Sequence, residues 1–374
     1  ALRDDDKGAA CWGIGGLAGK DGDGTHAWDF SETFPHGDLA TGAAGIAHDH
    51  ADRFRPADAA GVSKALKACQ QARLSVVPQG GLTGLCGGAR PEPGWVALSL
   101  ERMVGIEEVD TDACTMTVKA GTPLETVQRA AEEAGLYFAL DLGSRGSCAI
   151  GGNLSTNAGG NRVIRYGMVR ELVLGLEWVL PDGTVITSLN KLLKNNAGYD
   201  LKHLFIGSEG TLGVITAATL KLVPQPAATL TALAAVPDMT CAVRLLQLAQ
   251  AQLASTLTGF EVMGHFALSL VHRHYDHLHL PELWSTTPWC VLLENSDSEN
   301  EQHARSQFES LLEAALEQGC VTDAVVAESV AQAKALWHIR ESIPLAQAQE
   351  GLNIKHDISI PVSSIPEFVR VTDA

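Results

Sequence analysis

The stretch from Pro78 to Gly88 reads P-Q-G-G-L-T-G-L-C-G-G and constrains the fold of this chain more than any other segment. Five glycines in eleven residues leave too little side chain for it to pack a core. Glycine lets a backbone approach a ligand closely, and a row of N–H groups in such a loop binds anions. The apolar run Ser75-Val-Val-Pro predicts a short strand leading into it. We therefore predict a strand-to-loop connection that cradles a diphosphate.

Composition and charge narrow the class of protein. A chain of 374 residues with 45% hydrophobic and 19% charged residues is globular and long enough for two or three domains. A net charge of −17 argues against binding nucleic acid, which requires a basic surface.

The sequence carries no secretory or membrane-spanning pattern. Its first residues are acidic and lack an apolar region, and no apolar run approaches the ~18 residues of a membrane span. The eight cysteines are scattered without a C-x-x-C pair, which is typical of reduced thiols. These features predict a cytoplasmic location, in solution or peripheral at the inner membrane.

The patterns along the chain predict an α+β protein of three regions. Residues 1–50 show no sustained periodicity of either kind. Residues 51–226 alternate predicted helices and strands, including a helix from Thr122 to Ala134 with Thr122 as its N-cap. The prolines of Val223-Pro-Gln-Pro then predict a boundary, and residues 227–374 form a second α+β region.

Three further segments share the small, hydroxylated character of loop 78–88. Segment 141–160 reads D-L-G-S-R-G-S-C-A-I-G-G-N-L-S-T-N-A-G-G, residues 196–200 read N-A-G-Y-D, and segment 206–216 reads I-G-S-E-G-T-L-G-V-I-T. One such loop is commonly only a tight turn. Four within 140 residues favour a shared long polar ligand, held by backbone donors and by hydroxyls.

These motifs, in this order and together with R-Y-G and K-N-N-A-G-Y-D-L, resemble the FAD-linked D-2-hydroxyacid dehydrogenases. That family includes D-lactate dehydrogenases, the glycolate oxidase flavin subunit and D-2-hydroxyglutarate dehydrogenases. The resemblance covers roughly residues 55 to 370. It implies an FAD-binding domain of the vanillyl-alcohol-oxidase or p-cresol methylhydroxylase (PCMH) type, made of two subdomains. An incomplete α+β substrate domain follows.

The resemblance also implies which residues contact FAD. Loop 78–88 would hold the pyrophosphate, segment 141–160 would line the flavin and ribityl chain, and segment 206–216 would lie near the adenosine half. The residues carried over are Pro78, Gly80, Gly81, Thr83, Gly84, Leu85, Gly87, Gly88, Ser144, Ser147, Gly151, Gly152, Thr156, Asn157, Gly160, Glu209, Gly210 and Ile215.

Loop 78–88 departs from the family pattern at one position. The family usually has Asn where this chain has Leu82, which removes a polar contact worth on the order of 1–3 kcal/mol. Some members of the wider superfamily attach FAD through a histidine in this loop. The loop here contains none, so non-covalent FAD is expected.

The resemblance extends to the substrate domain. Segments L-W-H-I-R-E-S-I-P and N-I-K-H-D-I-S-I-P imply that Arg340 and Lys355 bind the substrate carboxylate, for which the planar fork of Arg is suited. On residue type alone, an ion pair with Glu341 or another carboxylate is the better explanation of Arg340, and the match to the family segment reverses that preference. Pro344 stands where some relatives carry a further substrate-binding Thr.

Metal binding is the least supported part of the site. His272, His274, His277 and His279 form a dense cluster, but their spacing does not place all four on one face of a helix, so a solvated helix end is favoured. In relatives, a divalent metal such as zinc is bound by H-x-G-D-G-N-x-H and E-H-G, which also supply the base. Those motifs lie beyond the segment matching Pro361 and are not in these 374 residues.

The function expected from the resemblance is oxidation of a D-2-hydroxy acid by hydride transfer to flavin N5. The expected partners are the small acid and an electron acceptor, either a quinone or an electron-transfer flavoprotein, with assembly as a homodimer. Two alternatives remain open: an FAD-binding fragment without its catalytic base, and a flavoenzyme resembling alkylglycerone-phosphate synthase.

Overall fold

A computed structural model describes residues 52–354 and 357–373. The fold is α+β, as the sequence predicts. The chain divides into two compact units. The first comprises the described residues up to Gly160 and Met168–Pro224, and the second comprises Asn161–Gly167 and the described residues from Gln225 onwards.

The strands lie at β1 (Asp52–Phe54), β2 (Val76–Gln79), β3 (Val96–Ser99), β4 (Ile106–Asp110), β5 (Thr115–Lys119), β6 (Leu136–Tyr137), β7 (Val173–Val179), β8 (Val185–Ser188), β9 (Val214–Lys221), β10 (Val223–Pro224), β11 (Ala228–Val236), β12 (Leu257–Gly264), β13 (Trp289–Asp297) and β14 (Asp323–Val326). The α-helices lie at α1 (Ala59–Ala72), α2 (Leu124–Glu133), α3 (Ile150–Ser155), α4 (Val163–Tyr166), α5 (Lys202–Phe205), α6 (Met239–Leu253), α7 (His265–His274), α8 (Glu301–Glu317), α9 (Val330–Gln349) and α10 (Ile365–Thr372). Short 3₁₀ turns occur at Val169–Leu172, Ala254–Thr256, Glu282–Thr286 and Val362–Ser364.

In the first unit, a small parallel sheet supports the glycine-rich loop. Its strand order is β1-β3-β2, and α1 connects β1 to β2. Asp58 caps α1 by accepting a hydrogen bond from the N–H of Gly61 at 2.7 Å. The apolar face of this helix is buried, since Val62, Leu66 and Cys69 pack into the core of the sheet. Helix α1 thereby fixes the strand from which loop 78–88 departs.

An antiparallel five-stranded sheet in the order β4-β5-β9-β7-β8 completes the first unit, beside the pair β10-β6. The turn Pro181-Asp-Gly joins β7 to β8, and Gly183 there has a φ of 78°. The predicted start of α2 is wrong by one residue. Pro123 occupies the N-cap position, because the Thr122 hydroxyl hydrogen-bonds the backbone of Gly105 and does not cap the helix.

The second unit is built on a four-stranded antiparallel sheet in the order β12-β13-β11-β14. One face packs against α6 and α8 through residues such as Leu245 and Phe308. The opposite face packs against α7 and α9 through residues such as Leu268 and Ile339. Alternate side chains of the central strands therefore enter two separate cores.

The cysteines of the described chain are all free. Burial raises the pKa of the Cys290 thiol to about 12, so that this group stays protonated at neutral pH. Among residues 52–354 and 357–373, no helix has both the length and the apolar character that crossing a membrane would need.

Candidate functional site

Loop 78–88 begins with the last two residues of β2, and its middle stands open to solvent. At its base, the buried side chain of Gln79 donates from Nε2 to the carbonyl oxygen of Ala89 at 2.9 Å, which closes the loop. Residues 82–87 are all exposed, and Leu85 is 76% exposed despite its apolar side chain. A stable loop that exposes leucine and glycine beside a parallel strand end has the form of a ligand site.

The backbone of this loop presents an uninterrupted row of donors. From Gly80 to Gly88, no backbone N–H donates a hydrogen bond to another described residue. At Gly84 and Gly87, a Cβ atom would meet nothing within 4 Å, so the space beside the backbone is open. Backbone donors that lack a protein acceptor and face open space fit the oxygens of a diphosphate.

Two of the three other glycine-rich segments, 141–160 and 206–216, pack against this loop. A Cβ on Gly81 would overlap the carbonyl oxygen of Ser147, and a Cβ on Gly210 would lie 2.8 Å from Cγ of Pro78. Segment 206–216 is tied to segment 141–160 by the N–H of Glu209, which donates to the carbonyl oxygen of Ser155 at 2.8 Å. The structure thus brings together three glycine-rich segments that are far apart in sequence, and only glycine allows the contacts at Gly81 and Gly210.

Each of the three segments holds one non-glycine residue in the left-handed region. The φ angles are 56° at Leu82, 48° at Asn157 and 52° at Glu209. Such conformations are uncommon outside glycine and cluster at functional sites, where the surrounding structure maintains them. Asn tolerates this region well, but Leu does not, so the backbone at Leu82 is more strained than that at Asn157.

Most of the residues predicted to line the cofactor keep accessible surface. These are Pro78, Gly80, Gly81, Thr83, Gly84, Leu85, Gly87, Gly88, Ser144, Ser147, Gly152, Thr156, Asn157, Gly160 and Glu209. Gly151, Gly210 and Ile215 are buried instead. The N–H of Gly151 donates to the carbonyl oxygen of Ala120 at 2.7 Å, and Ile215 pairs with Trp178 inside the five-stranded sheet. Protein groups surround these three residues in the structure. Their direct contact with a cofactor therefore stays a prediction.

In the second unit, Arg340 lies on α9 and pairs with a carboxylate that sequence reasoning did not identify. Its Nε and Nη2 donate to one oxygen, Oε2 of Glu261 on β12, at 2.9 and 2.8 Å. The ion-pair explanation of Arg340 is therefore realised with Glu261. A guanidinium has further donors beyond these two, so Arg340 can still bind a substrate carboxylate. That role remains a prediction.

One helical turn before Arg340, α9 is held by a second buried carboxylate. Glu294 on β13 is 1% exposed. It accepts hydrogen bonds from Nε and Nη2 of Arg162 at 2.9 and 3.1 Å, from Nε1 of Trp337 at 3.0 Å and from the Thr258 hydroxyl at 2.8 Å. These donors compensate the cost of burying the charge.

Sequence reasoning missed both carboxylates. The available signal was a glutamate inside an apolar strand, in G-F-E-V-M for Glu261 and in V-L-L-E-N for Glu294. A charged residue facing a core is retained only where it finds partners.

Two further positions bear on the predicted substrate site, Lys355 and Pro344. Lys355 lies outside the described residues, and its role stays a prediction. Pro344 lies inside α9, where it has no N–H to donate to the carbonyl oxygen of Arg340 four residues earlier. This chain therefore lacks both a hydroxyl at position 344 and the helical hydrogen bond to the backbone of Arg340.

The histidine cluster lies at the end of α7, as a solvated helix end would. His274 hydrogen-bonds Glu350 at 2.6 Å, and Arg273 pairs with the same carboxylate at 2.8 Å. The bond from His274 lowers the pKa of Glu350 below its usual value. Within the described residues, no three His, Cys, Asp or Glu side chains are grouped so that they could hold a metal ion.

Comparison with known proteins identifies two domains. Residues 53–188 match the model of an FAD binding domain, and residues 225–374 match the model of the C-terminal domain of FAD linked oxidases. The second match begins at the residue where the second unit resumes after Pro224.

Curated relatives share much of this sequence. The chain is 42% identical over 315 residues to a probable mitochondrial D-2-hydroxyglutarate dehydrogenase of Oryza sativa subsp. indica, covering 84% of this chain and 56% of that protein. It is 40% identical over 317 residues to the mitochondrial D-2-hydroxyglutarate dehydrogenase of Danio rerio, covering 85% of this chain and 59% of that protein. The chain thus spans somewhat over half the length of these relatives.

Solved structures agree on the fold. One is a p-cresol methylhydroxylase with substrate bound, with a TM-score of 0.63 at 15% identity, covering 78% of this chain and 61% of that one. At this identity the likeness concerns the fold alone. It confirms the predicted PCMH-type architecture.

The comparisons contradict the predicted cytoplasmic location. The relatives from Oryza sativa and Danio rerio are named as mitochondrial proteins, which points to the mitochondrion. The prediction was wrong because its observations do not separate the two compartments. Mitochondrial transit peptides are amphipathic and rich in arginine, so a search for the apolar region of a secretory signal does not detect them.

Proposed function

This chain belongs to the family of FAD-linked oxidases, and we propose that it binds FAD non-covalently and oxidises a D-2-hydroxy acid of the lactate, glycolate or 2-hydroxyglutarate type to the 2-oxo acid. The observation that carries the proposal is the row of N–H donors from Gly80 to Gly88, which has open space beside it and no described protein acceptor. The names of the relatives from Oryza sativa and Danio rerio support the substrate class.

The residues of the first unit fit this cofactor. Loop 78–88 would bind the diphosphate through its N–H groups, and the hydroxyls of Ser144, Ser147 and Thr156 would offer hydrogen bonds to polar parts of the molecule. Loop 78–88 contains no histidine that could form a covalent link. Bound FAD would supply the acceptor for the hydride of the substrate α-carbon, and a base of the full-length protein would take the hydroxyl proton.

In the second unit, the proposed task of Arg340 and Lys355 is to hold the substrate carboxylate. Two cations on the substrate carboxylate would orient the acid so that its α-carbon faces in a single direction, and orientation of this kind contributes strongly to rate. The reduced enzyme would pass its electrons to a quinone or an electron-transfer flavoprotein, and we infer assembly as a homodimer.

The experiment that tests this function is anaerobic mixing of the full-length FAD-loaded protein with D-lactate, D-2-hydroxyglutarate and glycolate. We expect at least one of them to bleach the flavin absorbance within seconds, and L-lactate and L-2-hydroxyglutarate to leave it unchanged. If none bleaches the flavin, the proposed activity is wrong, whatever the FAD content.

Leu82→Asn is expected to tighten FAD binding by roughly 5- to 150-fold, equivalent to about 1–3 kcal/mol. Asn accommodates a φ of 56° better than Leu and adds a polar group toward the ligand. Leu82 is 49% exposed, so its removal costs little buried surface. The measurement is a titration of apoprotein with FAD, followed by the quenching of flavin fluorescence.

Leu82→Gly is the matched control for this prediction. Glycine relieves the same backbone strain but offers no side-chain hydrogen bond. If the Gly and Asn variants bind FAD equally well, strain relief explains the whole gain. If the Asn variant binds no more tightly than the parent protein, the assignment of this loop to the cofactor is contradicted.

A further inference from the structure

Glu261 is a charged residue on a core-forming face of the four-stranded sheet. It alternates along β12 with residues of the opposite face and shares its own face with Met263, which is buried against α7 and α9. Its side chain is only 24% exposed. Burying a carboxylate at such a position is costly, and packing of the sheet alone gives no reason to place one there.

The pairing of Glu261 with Arg340 leaves part of the guanidinium available. Both of its hydrogen bonds end on the same oxygen, Oε2, so the pair does not have the fork-to-fork form that occupies both carboxylate oxygens. Among the described residues, Nη1 of Arg340 makes no hydrogen bond. The Nε edge is therefore fixed, while the terminal nitrogens keep donors for another anion.

The backbone beneath Arg340 is fixed independently. Trp337, three residues earlier on α9, donates to Glu294, and its ring lies over Gly259 of β12. A Cβ on Gly259 would lie 3.0 Å from the indole, so a larger residue there would crowd the ring. The helix is thus anchored at one turn and the guanidinium at the next, both from the same face of the sheet.

We propose that Glu261 is a positioning residue that holds the guanidinium of Arg340 in the orientation required to receive the substrate carboxylate. This inference rests on the proposed function, in which Arg340 binds that carboxylate. A free arginine side chain loses rotamer entropy when it binds an anion, and Glu261 removes that loss in advance. The opposite expectation is that Glu261 competes with the substrate for Arg340, which would weaken binding.

The test compares Glu261→Ala and Glu261→Gln in the full-length FAD-loaded enzyme, using the D-2-hydroxy acid that bleaches the flavin fastest and a dye as electron acceptor. Glu261→Ala is expected to raise KM about 10- to 100-fold and to change kcat less than threefold. The amide oxygen of Gln accepts the same two hydrogen bonds without a charge, so Glu261→Gln should bring KM back to within about threefold of the parent value. Glu313→Ala, on the exposed side of α8, is the control and should change neither constant.

The outcomes separate this inference from the function beneath it. A KM that falls in Glu261→Ala shows competition and overturns positioning. A Gln variant as impaired as the Ala variant also overturns it, since hydrogen bonding would then not be what matters. In an Arg340→Ala background, adding Glu261→Ala should no longer raise KM, because no guanidinium remains to be positioned. If Arg340→Ala itself leaves KM unchanged, the proposed role of Arg340 fails first.

Discussion

Arg340→Ala is expected to lower kcat/KM for the D-2-hydroxy acid about 10²- to 10³-fold, equivalent to roughly 3–4 kcal/mol. The substitution removes the guanidinium that pairs with the substrate carboxylate. It also leaves the half-buried Glu261 without a cation, and this unpaired carboxylate repels an anionic substrate. Because the carboxylate is bound both before and during the reaction, most of the loss should appear in KM. Steady-state kinetics over a wide range of substrate concentration measures it.

Two further variants make the Arg340 result specific. Arg340→Lys keeps the charge but not the planar fork, and we expect a loss between those of the parent and Ala proteins. Arg273→Ala removes an exposed arginine that pairs with Glu350, and it should leave kcat/KM within twofold. An unchanged KM in Arg340→Ala, with normal FAD content, would show that the substrate carboxylate binds elsewhere.

The parts of the fold that sequence predicts well are those determined by short-range chemistry. Asp58 has a side chain suited to an N-cap and precedes an amphipathic run, and α1 begins at the next residue, Ala59. The glycine density of loop 78–88 announces an exposed loop, and the loop is exposed. Thr122 shows the limit of such reasoning. Its hydroxyl could cap a helix, but in the folded protein it hydrogen-bonds the backbone N–H and carbonyl oxygen of Gly105.

The carboxylate pairs of the second unit could not be predicted in this way. Arg162 and Glu294 are 132 residues apart, and Arg340 and Glu261 are 79 apart, so no local pattern links the partners. Residues 161–167 also belong to the second unit, although the chain on both sides of them belongs to the first. Similarly, the strain at Leu82 arises from a φ of 56°, which leucine rarely adopts, so its residue type does not predict it. Long-range topology determined all three features.

The buried pair of Arg162 and Glu294 gives the largest expected effect on stability. Arg162→Met should destabilise the protein by about 3–5 kcal/mol, because it leaves a buried carboxylate without its compensating charge. The Glu294 side chain is 2% exposed and that of Arg162 is 18% exposed, so water cannot replace the guanidinium at the carboxylate. The apparent midpoint of thermal unfolding of the FAD-loaded protein, followed by circular dichroism, should fall by roughly 6–20 °C.

Matched variants establish that the buried charge is the cause. Arg165→Met alters an exposed arginine of the same segment, which donates to the carbonyl oxygen of Ser296, and it should lower the midpoint by only a few degrees. Arg162→Met combined with Glu294→Gln removes the uncompensated charge while keeping an acceptor for Trp337, so the midpoint should recover by at least half of the loss. If the double variant is as unstable as Arg162→Met alone, lost packing and not the unpaired carboxylate destabilises the protein. In that case the side chains around Glu294 stabilise α9 through their packing, and the charge of Glu294 contributes little to stability.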